Sequence, residues 1–126
     1  MAGLKEVARA LLPPYNALLI YLSLVHPSTV EALPALATIM EAWEGLVAHA
    51  ASMTLLAAIY VAAGLSYAAS RIAASSTGAL IEGLQALVPW RTACPLDLAA
   101  DLAGATVGLA LAWALLARRG WASERR

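Results

Sequence analysis

Four long runs of apolar residues constrain this chain more than any other feature of its sequence. They cover approximately residues 8–25, 45–67, 72–88 and 96–117. Each is close to the roughly 20 residues that a helix needs to cross the apolar core of a bilayer. Hydrophobic residues make up 62% of the chain, above the roughly 45–50% that is usual for soluble domains. The sequence therefore predicts an all-α membrane protein, a four-helix transmembrane bundle that forms a single domain over residues 1–126.

The start of the chain and the segment after the first run need separate interpretations. The first run lacks a small-residue cleavage site, so we interpret it as a retained span rather than a signal peptide. Pro13 and Pro14 predict an irregular first turn. Segment 27–43 carries Glu31, Pro34 and Glu41 between apolar residues, and we interpret it as a loop or short interfacial helix. A soluble, alanine-rich helical bundle is the alternative for the whole chain, but the scarcity of charges in the four runs argues against it.

The basic residues predict the orientation in the membrane. Only Arg91 lies on one side of the four-span arrangement, in the loop after the third run. Cytoplasmic loops are enriched in Lys and Arg, so both termini are predicted to be cytoplasmic. Loops 27–43 and 89–95 are then predicted to face outward, with Trp43 and Trp90 in an outer aromatic belt and Trp121 in an inner one. The seven basic residues on the predicted cytoplasmic side are Lys5, Arg9, Arg71, Arg118, Arg119, Arg125 and Arg126.

Polar residues interrupt the third and fourth runs near their predicted outer ends. Glu82 lies six residues before the end of the third run, and Asp101 lies five residues into the fourth. Gln85 shares a helix face with Glu82 at i+3, and Asp97 shares one with Asp101 at i−4. A histidine at the start of the second run and an arginine in the connecting loop are predicted at the same level. The candidate site therefore comprises Glu82, Gln85, Arg91, Asp97, Asp101 and His49.

A functional and a structural interpretation of this cluster are both open. A charged residue at the centre of a membrane helix costs about 2.5–3.5 kcal/mol on insertion scales and is a functional hypothesis by default. Three acids face one arginine and one histidine, so either a proton is retained or a cation is missing. In the structural alternative, Glu82 pairs with Arg91 to join the last two helices, and Asp97 is favoured near a helix N-terminus by the macrodipole.

Small residues at four-residue steps predict close helix packing in the last two runs. The fourth run contains GATVG, Gly104 to Gly108. Such spacing lets helices approach closely. We predict that the two sets of small residues pack within one chain and bring Glu82 and Asp101 together, with a homo-oligomer as the alternative. The sets are Ala100, Gly104, Gly108 and Ala112 in the fourth run, and Ser75, Ala79 and Gly83 in the third.

Composition excludes several other classes of protein. Net charge is zero and there is no basic stripe with interleaved aromatics, so no nucleic-acid partner is expected. Cys94 is the single cysteine, which excludes an internal disulfide and a multi-cysteine zinc site. The sequence contains no Ser-His-Asp order and no glycine-rich phosphate loop.

The order of the polar residues resembles the VanZ-like family of small bacterial and archaeal membrane proteins. That family's pattern is E-x-x-Q, then P-x-R, then D-x-x-x-N-x-x-G-A at the start of the last helix. The corresponding stretches here are EGLQ, PWR and DLAADLAGA. IYLSLVHPS, with Ser23, resembles the end of the family's first span, and His49 resembles the family histidine. Asp101 stands where the family has asparagine, and Gly45 and Leu46 replace an acid–lysine pair.

The resemblance implies a multi-pass protein of the cell membrane, and three functions follow from it and from the cluster. The first is a non-enzymatic envelope protein whose outward-facing site binds a lipid headgroup, a cell-surface precursor or a partner protein. Because the family's namesake is associated with low-level resistance to teicoplanin, a glycopeptide-related ligand falls in this group. The second is a metal-dependent enzyme acting on an envelope lipid phosphate, with a divalent cation held by Glu82, Asp97 and Asp101. The third is a structural or accessory membrane subunit.

Overall fold

A computed structural model of the chain describes residues 2–43 and 45–118. This part is all-helical and contains no strand, which confirms the predicted fold class at that level. The predictions made on Glu44, Arg119, Trp121, Arg125, Arg126 and the side chain of Trp43 lie outside the described residues. The helices are α1 (Ala2–Leu24), α2 (Pro27–Ala32), α3 (Pro34–Trp43), α4 (Leu46–Ala62), α5 (Tyr67–Leu87) and α6 (Pro95–Ala117).

The first helix starts earlier than the sequence predicts. It begins at Ala2 rather than near residue 8, and Pro13 and Pro14 lie inside it rather than in its first turn. Alanine, leucine, lysine, glutamate and arginine dominate residues 2–12, and these residues favour a helix. The helix therefore forms ahead of the prolines. Just after them, the Asn16 side chain donates to the Leu12 carbonyl at 2.9 Å.

The turn between α4 and α5 corrects a second boundary. The predicted second span reached residue 67, whereas α4 ends at Ala62 and Tyr67 already belongs to α5. Gly64 has a φ of 108°, a left-handed conformation that side chains with a Cβ rarely adopt. The Ser66 hydroxyl then accepts a hydrogen bond from the N–H of Ala69 and caps α5. Glycine and serine thus end one helix and begin the next earlier than hydropathy alone indicates.

Segment 27–43 forms two short helices, in agreement with the short-helix interpretation. The His26 side chain caps α2 by accepting from the N–H of Ser28. Pro27 and Pro34 each begin a helix, and Pro95 begins α6 as predicted, because a first-turn residue needs no N–H.

Contacts between the long helices fix their directions. α4 and α5 lie against each other and against both α1 and α6. Arg9 Nε donates to the Ala63 carbonyl at 3.0 Å, so the start of α1 lies at the α4–α5 turn. Val61 packs with Leu116, which places the end of α6 there too. We call this the basic end. The opposite end, formed by the end of α1, the start of α4, the end of α5 and the start of α6, is the acidic end.

The closest helix contact is between α4 and α6. A Cβ built on Gly104 would overlap the carbonyl oxygen of Ala50, and one built on Gly108 would overlap that of Thr54. The Thr54 hydroxyl lies 2.9 Å from the Gly104 carbonyl and bridges the two helices. The predicted GATVG packing is therefore intramolecular. Its partner is α4 and not the preceding helix.

The small residues that the sequence predicts at the packing face of the third span do not lie on the buried face of α5. Gly83 has no neighbour within 4 Å of an added Cβ, and Ala79 is exposed. The buried face of α5 runs instead through Ser70, Ala74, Thr77, Gly78, Ile81 and Gln85. A four-residue step cannot distinguish a buried face from an exposed one in a helix where small residues occur all round.

Within the described residues, two helices are long and apolar enough to cross a membrane, Gly3–Leu24 and Pro95–Ala117. Pro34–Glu41 and Leu46–Ala62 would qualify together as one broken span with a bend of 91°. α5 is less hydrophobic because it holds Arg71, Glu82 and Gln85. All four long helices nevertheless expose large apolar side chains, including Leu11, Leu18, Leu55, Ile72, Leu80, Val107, Leu111, Trp113 and Leu115. Exposed apolar surface of this extent indicates association with a membrane.

Candidate functional site at the acidic end

His49 lies at the centre of the polar cluster at the acidic end. It sits about one turn into α4, and 7% of its side chain is exposed. Nδ1 is 3.3 Å from Asp101 Oδ1, and Nε2 is 3.8 Å from Asp97 Oδ2. Because the two aspartates are one turn apart on α6, one imidazole faces both carboxylates. The structure therefore brings together His49, Asp97 and Asp101, which the sequence predicts at the same height along their helices.

Asp101 is the most deeply buried acid among the described residues, with 1% exposure. Its Oδ1 contact with His49, at 3.3 Å, is longer than the usual N–H···O range of about 2.7–3.2 Å. It is a charge contact rather than a well-formed hydrogen bond. Oδ2 has no hydrogen-bond partner in the described part of the chain. A buried carboxylate in this state carries a large desolvation cost unless another donor reaches it.

Glu82 links α5 to the start of α6. Its Oε2 accepts a hydrogen bond from the N–H of Cys94, the N-cap of α6, at 3.0 Å. A carboxylate near a helix N-terminus is favoured by the macrodipole, which gives Glu82 a structural role. Its Oε1 is buried with no donor among residues 2–43 and 45–118. Gly78, one turn before Glu82 on α5, lies against Asp101, so Glu82 belongs to the same polar cluster as the aspartates.

Gln85 and Arg91 contact the end of α1. Gln85 Nε2 donates to the Ser23 carbonyl at 3.2 Å, and Arg91 Nη2 donates to the Leu22 carbonyl at 3.1 Å. The sequence predicts Arg91 at the same level as the carboxylates, with a pair between Arg91 and Glu82 as the structural alternative. In the structure this hydrogen bond holds its guanidinium at the carbonyl end of α1, where a cation is favoured. Trp90, predicted in the outer belt, donates to the Leu24 carbonyl at 3.0 Å.

Gly78 contributes to the site and was missed from the sequence. A Cβ built on Gly78 would lie 2.9 Å from Asp101 Oδ2, so the absence of a side chain leaves room for the buried carboxylate between α5 and α6. The available signal was its position four residues before Glu82, on the same helix face. Glycine in a helix interior is unfavourable by about 1 kcal/mol relative to alanine and usually has a packing reason.

The cluster has more acceptors than donors. Two aspartates face one imidazole, and three side chains hold buried oxygens without a hydrogen-bond donor in the described part of the chain: Glu82, Gln85 and Asp101. Within the same residues, no group of three or more His, Cys, Asp or Glu side chains is arranged to hold a metal ion. The metal set of Glu82, Asp97 and Asp101 stays a prediction. Chemically, the arrangement suits a ligand that brings positive charge and several N–H donors.

Comparison of the chain with family models, with curated proteins and with solved structures finds no match.

Proposed function

We propose that the chain is a four-span membrane protein of the VanZ-like type whose outward-facing polar site binds the ammonium group of an envelope lipid headgroup. The observation that carries the proposal is the buried carboxylate of Asp101, which is 1% exposed and has an oxygen without a donor among the described residues. The resemblance in EGLQ, PWR and DLAADLAGA supports the family assignment.

The distribution of polar side chains supports four spans. α5 owes its lower hydropathy partly to Ser70, Thr77 and Gln85, which are buried against other helices, while Ile72 and Leu80 are exposed. Membrane helices turn polar residues towards the bundle and apolar ones towards lipid. α4 has 17 residues, which at 1.5 Å per residue is about 26 Å, within a few ångströms of the roughly 30 Å apolar core of a bilayer.

The charges at the two ends support the predicted orientation. Lys5, Arg9, Arg71 and Arg118 belong to the basic end, while Glu82, Asp97 and Asp101 lie in the acidic half. Cytoplasmic loops are enriched in basic residues. The basic end is therefore assigned to the cytoplasm, and the candidate site opens to the outer leaflet.

A primary ammonium complements this site better than a quaternary one. It brings one positive charge and N–H donors, of which a quaternary ammonium has none. Glu82 Oε1 and both carboxylate oxygens of Asp101 have no hydrogen-bond donor among the described residues, and charged hydrogen bonds are roughly twice as strong as neutral ones. The ligand is thus assigned to the ethanolamine class of lipid, and the selectivity over choline lipids comes from hydrogen bonding.

The test compares lipids that differ only in their headgroup. The purified full chain in detergent is heated with short-chain phosphatidylethanolamine or with phosphatidylcholine of the same acyl length. Ligand that binds only the folded state adds about 2.7 kcal/mol of stability at a hundredfold excess over Kd. We expect the ethanolamine lipid to raise the melting temperature more than the choline lipid, and the Glu82→Gln/Asp101→Asn variant to lose that difference.

The matched control removes two acids from the same side of the protein. Glu31 and Glu41 are exposed and take no part in the site, so Glu31→Gln/Glu41→Gln should keep the full ethanolamine response. Equal responses to both lipids in wild type, together with a simple loss of stability in Glu82→Gln/Asp101→Asn, would support the structural interpretation instead.

A further inference from the structure

An apolar groove runs along the surface between α4 and α6, in the half of the molecule near the basic end. Its volume is about 630 Å³. Thr54 is the one polar side chain among the described lining residues. Its hydroxyl is within hydrogen-bonding distance of the Ala50 and Gly104 carbonyls, so the lining is almost wholly hydrocarbon. The side chains that line most of it are Leu4, Leu55, Ala58, Ala62, Leu111 and Leu115.

The length of the groove fits one leaflet of a bilayer. Its lining on α4 extends from Ala51 to Ala62, a rise of about 17 Å at 1.5 Å per residue. One leaflet contributes about half of the roughly 30 Å apolar core. The groove is closed towards the acidic end by the contact of Gly104 and Gly108 with α4. It is therefore separate from the candidate site described above.

Basic residues follow the lining residues of the groove closely in sequence at the basic end. Lys5 follows the lining residue Leu4, and its side chain lies over Gly64. Arg9 bonds to the carbonyl of Ala63, directly after the lining residue Ala62. Arg118 caps α6, two residues beyond Leu116. Among the described residues, Glu6 is the one carboxylate at this end, so this end is positively charged.

We infer that the α4–α6 groove binds an anionic phospholipid, with an acyl chain along the groove and the phosphate beside Lys5 and Arg118. Basic pockets between membrane helices on the cytoplasmic side are a recurring form of anionic lipid site. Charge complementarity selects the headgroup, and the apolar lining selects a lipid over a free phosphate. The inference rests on the membrane embedding proposed above but not on the ammonium site.

The experiment measures the melting temperature of the full chain in detergent with short-chain phosphatidylglycerol, the choline lipid of equal chain length, or inorganic phosphate. Phosphatidylglycerol should stabilise wild type most, and phosphate alone should have no effect. Each basic residue near a membrane surface contributes about a fivefold increase in affinity, so Lys5→Gln/Arg118→Gln should weaken phosphatidylglycerol binding roughly thirtyfold. Arg71→Gln is the control, because Arg71 belongs to the same end but bonds to the Thr106 hydroxyl on an exposed surface.

The acyl chain is tested by filling the groove. Ala58→Phe should abolish the response to phosphatidylglycerol, whereas Ala79→Phe, on an exposed face of α5, should keep it. If Ala58→Phe does not fold, Ala51→Trp serves the same purpose, since Ala51 is exposed on the groove wall. An equal response to both lipids, or an effect of phosphate alone, would overturn the inference. So would a change of oligomeric state in Ala58→Phe without any lipid response in wild type, which would assign the groove to a second copy of the chain.

Discussion

The two outer helices of the described structure are held by different kinds of contact. α6 approaches α4 so closely that Gly104 and Gly108 face backbone carbonyls. α1 lies against α4 and α5 through apolar side chains such as Leu19, which is buried in the core, and through side-chain hydrogen bonds such as Tyr15 Oη to the Ser52 carbonyl at 3.0 Å. The first contact depends on shape and the second on polar groups within an apolar surrounding.

This difference predicts how well each helix contact tolerates single substitutions. Backbone-to-backbone packing has no side chain that can rotate away, so an added methyl group must move a helix. A hydrogen bond between membrane helices contributes only about 0.6 kcal/mol on average, because the partners find other bonds when it is lost. The α4–α6 backbone contact should therefore be sensitive to single substitutions, and the hydrogen bonds of α1 tolerant of them.

The largest effect is expected for Gly104→Ala. The new Cβ would overlap the Ala50 carbonyl oxygen, and overpacking of this kind typically destabilises by about 1–3 kcal/mol. Gly83→Ala is the matched control, since nothing lies within 4 Å of its added Cβ. It should stabilise by up to about 1 kcal/mol through helix propensity. The free energy of unfolding is measured by SDS titration in mixed micelles, and equal values for the two variants would contradict the α4–α6 packing.

A smaller effect is expected for Asn16→Leu in α1. Asn16 accepts from Thr77 of α5 at 3.1 Å and lies 3.4 Å from the Tyr60 hydroxyl of α4. Loss of these two interhelical contacts should cost about 1 kcal/mol. A double-mutant cycle with Thr77→Val isolates the shared bond, with an expected coupling of about 0.6 kcal/mol. A loss larger than that of Gly104→Ala would reverse the ranking of the two contacts.

The sequence predicts one of these contacts and not the other, for a physical reason. GATVG shows that α6 approaches another helix closely, because small residues repeat at a helical spacing. It does not show which helix, and the predicted partner was wrong. The bond between Asn16 and Thr77 joins residues 61 positions apart. No local pattern encodes it, since it depends on how α1 and α5 come together.

The candidate site also has features that the sequence predicts and features that it does not. Asp97 and Asp101 share a face by their spacing. Successive long helices alternate in direction, so α4 and α6 begin at the same end and bring His49 close to the aspartates. Both features are therefore predictable. The hydrogen bond from Arg91 to the Leu22 carbonyl and the space above Gly78 depend on side-chain directions and on interhelical distance. Periodicity carries no information on either. The sequence therefore predicts at which height along the helices the site lies, and the structure shows which side chains surround it.

The smallest effect on the free energy of unfolding is expected for Gly78→Ala. This glycine faces a side chain, whereas Gly104 faces a backbone carbonyl. A Cβ on Gly78 would lie 2.9 Å from Asp101 Oδ2, which can rotate away, and 3.2 Å from Asp101 Cβ, which must shift by a few tenths of an ångström. The gain of up to about 1 kcal/mol in helix propensity should offset the displacement and leave the free energy of unfolding nearly unchanged. The carboxylate must nevertheless move, so the response to the ethanolamine lipid should weaken. A stability loss as large as that of Gly104→Ala would show that Asp101 is held as rigidly as the backbone. An unchanged lipid response in a stable variant would mean that the position of this carboxylate does not matter for binding.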